Sequence, residues 1–138
     1  MENHRQLSDV EFEAQFANLT FAASDFTHEA HLRLAWIHIK KYGVDQAVEN
    51  VCLQIKALVD HLGVSEKYHA TVTEAAVRAV YHFILNSQNE EFLSFMEENP
   101  QLISEFKALL NSHYSFDIFK SVAARQKFLV PDIAPFDP

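Results

Sequence analysis

Between Asp45 and Leu62 the apolar residues Val48, Val51, Cys52, Ile55, Leu58, Val59 and Leu62 recur at three- and four-residue steps, the spacing that lines one face of an α-helix. The only two glycines of the chain, Gly43 and Gly63, flank this run. Glycine accepts the left-handed backbone that ends a helix more readily than any other residue, so both read as helix stops. No glycine is then left over for the tight turns of an all-β design. The periodicity therefore points to an all-α fold.

The rest of the chain can be divided in the same way. Ser8 with Glu11 has capping-box spacing and predicts a short helix over about residues 8–18. Ser24 or Asp25 can cap a second helix running to Tyr42, and Asp45 can cap the third. Ser65 opens a fourth through Leu85, with Thr71 and Glu74 as an alternative capping box further in. Asn89 and the pair Asn99-Pro100 punctuate two further helices, Glu90–Glu98 and Pro100–Asn111, and Ser115 or Ser121 starts a last piece through Phe128. The end, VPDIAPFDP, has three prolines in eight residues and must run extended. The expected architecture is one all-α domain over residues 1–138, a bundle of about five to seven helices, with residues 1–7 flexible and 129–138 an extended tail.

Charge and motif content exclude several function classes. With 19 acidic against 11 basic residues the net charge is -8, and such a surface repels a nucleic-acid backbone or an anionic membrane. No stretch approaches the ~20 apolar residues of a membrane span, and MENHRQLSDVEFE lacks the basic start and apolar run of a secretory signal, so the cytoplasm is the expected compartment. The lone Cys52 forbids an internal disulfide and reads as a small buried hydrophobe. Neither a G-x-S-x-G elbow nor a phosphate-cradling glycine loop occurs.

The chemistry-bearing residues are histidines, eight in all. On a wheel of about 100° per residue, His28 sits beside Leu32, Ala35 and Ile39 with His31 flanking them, while Glu29, Arg33 and Lys40 form a polar wedge on the far side. His28 and His31 thus make an H-x-x-H pair one turn apart. His69 lies in an apolar face made by Val72, Ala76, Val77, Val80, Phe83 and Ile84, with Thr73 one turn above. Short connections make the second, third and fourth helices alternate in direction, so the second and fourth are expected parallel, with His28 and His69 level to roughly 1.5 Å. The functional expectation is a divalent metal, zinc or iron, on His28, His31 and His69 with an open position for water or substrate. Asp25, Glu66 and His61 are further candidate ligands. Thr27, Tyr68, Thr73 and Arg125 are candidates for the surrounding pocket. Glu74 falls with Arg78 on the polar face and is left out. Against this stand a metal-free polar pocket and plain packing, since buried imidazoles often satisfy helix ends.

The segments His28-Glu29-Ala30-His31-Leu32-Arg33-Leu34-Ala35-Trp36 and Tyr68-His69-Ala70-Thr71-Val72-Thr73, with Ser121-x-x-Ala124-Arg125 and Pro131-Asp132-Ile133-x-Pro135, resemble a family of small uncharacterised bacterial all-helical proteins. The resemblance runs from about residue 25 onward. It carries no activity with it, and where the family often has Glu this chain has Ala70. The leading expectation is a metal-binding protein, a metal-dependent enzyme acting on a small molecule at one end of the bundle. The alternative is a noncatalytic module that binds a small ligand or a partner protein through a metal-free histidine pocket. Oligomeric state is not written in the sequence.

Overall fold

A computed structural model of the chain describes residues 2–136. Among them are eight α-helices, three short 3-10 turns and no β-strand, so the fold is all-helical. The chain divides into two compact units, Met1–Tyr68 and His69–Pro138.

The first unit holds α1 (Asp9–Ala17), α2 (His28–Tyr42) and α3 (Val44–His61), with 3-10 turns at Asn3–Gln6, Ala23–Asp25 and Ser65–Lys67. The capping box at the start of α1 is formed: Ser8 Oγ accepts from the Glu11 amide at 3.1 Å, and the Glu11 carboxylate accepts from the Ser8 amide at 2.9 Å. α2 starts later than its capping candidates Ser24 and Asp25, because both are spent in a 3-10 turn and the Thr27 hydroxyl takes over, accepting from the Ala30 amide at 3.2 Å. Gly43, at φ +86°, ends α2 and immediately precedes α3. A Cβ at Gly43 would meet nothing within 4 Å, so the backbone angle and not space calls for glycine there.

α2 packs most extensively on α3, and α1 contacts both. The stripe read from the sequence supplies Val51, Ile55, Leu58 and Val59 to this core, whereas Cys52 at its margin is only half-buried and Leu62 is exposed. Phe12, Phe16 and Phe21 close the other side, with ring centroids 4.5 Å apart for Phe16 and Phe21 and 5.1 Å for Phe12 and Phe21.

The second unit holds α4 (Ala70–Leu85), α5 (Phe92–Glu98), α6 (Gln101–Ser104), α7 (Phe106–Asn111) and α8 (Val122–Gln126). α4 begins five residues after Ser65, the expected start, because Ser65–Lys67 turns separately and His69 is the cap. The single helix expected over 100–111 breaks at Glu105, where φ -130° and ψ 26° interrupt the ladder, and this break raises the count to eight. Ala75 and Ala79 of α4 pack on Leu110, Tyr114, Ile118, Ala124 and Phe136. Small residues on α4 let these larger ones approach closely.

The proline-rich tail has no regular structure and is tied to its unit by hydrogen bonds. Thr71 Oγ1 donates to the Lys127 carbonyl at 2.8 Å and accepts from the Leu129 amide at 3.0 Å. Tyr114 donates to the Leu129 carbonyl at 2.7 Å, and the Ile133 amide to the His113 carbonyl at 3.0 Å. Residue 1 of the lead-in and residues 137–138 of the tail lie outside the described residues. No helix among those described is long and apolar enough to cross a membrane.

Candidate functional site

The H-x-x-H pair occupies the first turns of α2. His28 is its first residue and is exposed. His31 keeps some exposure, but its Nε2 is buried without a hydrogen-bond partner among the described residues. Its ring lies against Phe26 at 5.0 Å between centroids. Loss of hydration pushes its pKa down to about 4, and the charge of neighbouring His28 adds to the shift. The ring is therefore neutral at pH 7, with an unprotonated nitrogen to offer. His38 also has a buried Nε2 without a hydrogen-bond partner, but its Nδ1 sits 3.3 Å from the Asn50 amide and no second histidine lies one turn away.

His69 is used differently from the expectation. It is the N-cap of α4: Nδ1 accepts from the Val72 amide at 3.1 Å, and Nε2 donates to the Ile118 carbonyl at 2.9 Å. Two such bonds fix a neutral tautomer with its proton on Nε2, and neither ring nitrogen remains for an ion. Burial lowers its pKa, and the charge of exposed Arg125 helps. Thr73 donates to the His69 carbonyl at 2.7 Å, closing the same turn. The expected triad is thus divided, with His28 and His31 in the first unit and His69 opening the second.

The remaining candidates are placed as follows. Thr27 caps α2 and donates to the Glu2 carboxylate at 2.5 Å. Asp25 is half-buried and accepts from the Asn3 amide group at 3.1 Å. His61, the last residue of α3, and Glu66 are exposed, and Tyr68 is half-buried with the Lys56 ammonium 5.8 Å from its ring. Asp132, in the tail, accepts from the Ser115 amide at 2.9 Å and from the Ser115 hydroxyl. Glu74 pairs with Arg78 at 3.0 Å, in keeping with its position on the polar face.

One buried cluster escaped the sequence reading. Among the described residues, Glu2, His4 and Glu29 bring ligand-type atoms within 4.8 Å of one another. His4, in the lead-in expected to be flexible, is fully buried, and its Nε2 donates to Glu29 at 2.7 Å. Arg5 holds both Glu29 oxygens at 2.8 and 2.6 Å. Arg33 donates to the carbonyls of His4 at 2.6 Å and Leu7 at 2.7 Å, pairs with Asp9 at 2.8 Å, and lies 4.7 Å from the Phe12 ring. The Arg5 guanidinium already neutralises Glu29, and the Arg33 guanidinium lies 3.3 Å from His4 Nδ1, so a further cation would meet their repulsion. The cluster fits a clasp between the lead-in and the polar wedge of α2 better than a metal centre. The wedge on α2 was visible in the sequence, but the short segment that covers it carries no periodicity to read.

A comparison with protein-family models, curated proteins and solved structures finds no match to this chain.

Proposed function

We propose that His28 and His31 hold a divalent metal, zinc or iron(II), and that the protein is a metal-dependent helical protein acting on a small molecule there. The buried His31 Nε2 without a partner carries the reading, because a desolvated polar atom is rarely left unmatched and an ion would match it. Metal binding needs an unprotonated imidazole, and a pKa pushed down to about 4 supplies one throughout the neutral range. Two imidazoles leave coordination positions for carboxylate, water or substrate, and Asp25, His61 and Glu66 are the candidates within the same unit. A bound ion would act as a Lewis acid toward water or a carbonyl. His69 has no part in this reading.

The test is the metal content of protein purified without a nickel column. About one ion per chain, lost in His31→Ala and in His28→Ala with the helical circular dichroism retained, is the expected result. Substoichiometric metal that neither substitution changes would overturn the proposal, and would favour a noncatalytic pocket in which a ligand's own polar group meets the same nitrogen.

A further inference from the structure

The second unit contains a cavity of about 180 Å³ whose walls include His82 and Phe83 of α4, Leu109 of α7, His113, and Pro135 with Phe136 of the tail. An apolar cavity of roughly 150 Å³ is large enough for a single benzene ring. Two of these walls are flat rings packed on each other: His113 and Phe136 lie 4.1 Å apart at an interplanar angle of 32°, and Phe136 is itself 5% exposed. A planar guest is therefore favoured over a branched aliphatic one.

His113 sets the polar requirement. Its Nδ1 donates to the Ala134 carbonyl at 2.8 Å, which places the proton of the neutral ring on Nδ1. Nε2 is then an acceptor, and the matching guest carries a hydroxyl hydrogen. That same bond, with the one from the Ile133 amide to the His113 carbonyl at 3.0 Å, fixes the tail that forms the far wall.

We propose that this cavity binds a free single-ring phenol, its ring between Phe83, Leu109 and Phe136 and its hydroxyl donating to His113 Nε2. This site is independent of the metal reading and shares none of its residues.

Titration of the labelled full-length chain with p-cresol, followed by methyl and amide NMR shifts, is the test. Saturable shifts at Ala79, Leu109 and Phe136 with a dissociation constant of roughly 0.1–1 mM are expected for so small a guest. Toluene, which lacks the hydroxyl, should bind about five- to tenfold more weakly. Leu109→Trp, which fills the space, should abolish the shifts while retaining the helical spectrum. If that variant does not fold, Ala79→Leu makes the same test, since Ala79 of α4 also lines the cavity. Equal binding of toluene and p-cresol would overturn the assigned role of His113, and shifts that are absent or centred elsewhere would overturn the site. A blocked tyrosine amide that binds as tightly as p-cresol would also overturn it, by making the occupant a peptide side chain.

Discussion

His4 Nε2 lies 2.7 Å from a carboxylate oxygen of Glu29, and both residues are buried, which joins the N-terminal turn to the first turn of α2. The largest influence on Glu29 is the Arg5 guanidinium, which holds its carboxyl below the usual carboxylate range despite the opposing effect of burial. Removing Glu29 takes from the buried His4 Nε2 and from the Arg5 guanidinium the carboxylate they both donate to. Glu29→Ala should lower the unfolding free energy by about 2–4 kcal/mol in urea titrations. The double variant His4→Ala/Glu29→Ala should lose less than the two single losses combined, since the pair acts as a unit.

Acid should destabilise the protein before its carboxylates titrate. His4, His31, His38 and His69 all have pKa values lowered chiefly by burial, with His31 down to about 4. Between about pH 6.5 and 4 the unfolded imidazoles bind protons that the folded ones refuse, so stability falls as pH falls through that window and levels off above about pH 7. A depression of the size seen at His31 corresponds to at most about 3 kcal/mol. Urea midpoints measured from pH 7.5 to 4.5 check the slope, and His31→Phe should make it shallower.

His69 makes a second, sharper case. His69→Ala removes the cap of α4 and leaves the Ile118 carbonyl without its donor, and should cost about 2 kcal/mol. His69→Asn can still accept from the capped amide, so it should recover about half of that loss. A metal-ligand role would instead make both substitutions equally damaging to metal content and neither graded in stability.

The tail is held by single hydrogen bonds whose loss can be read locally. Tyr114→Phe deletes the donor to the Leu129 carbonyl and should cost about 1 kcal/mol. Hydrogen exchange should speed up at Leu129 and Ile133, with the amides of α2 and α3 unaffected.

The helical class was legible because Val51, Ile55 and Leu58 repeat at the helical period and the glycines stand at its ends. Helix starts were less so. Ser24, Asp25 and Ser65 all have good capping chemistry, yet short 3-10 turns took them, and the caps passed to Thr27 and His69. Histidine is not among the usual N-cap residues, so the spacing His69 to Val72 carries no cap signature, and an imidazole on an apolar face resembles a ligand position. The clasp was hidden for another reason. Glu29 and Arg33 looked like a solvated stripe, and nothing local in His4 or Arg5 announced that a turn of four residues would bury them.

The most direct test of the metal assignment is the imidazole nitrogen-15 spectrum of the metal-free protein during addition of one equivalent of zinc. The account predicts that the ring signals of His31 and His28 move together and saturate at one ion per chain, while those of His69 keep their hydrogen-bonded shifts. If His31 stays unmoved while other histidines respond, the buried nitrogen is not a metal ligand and the assignment is wrong.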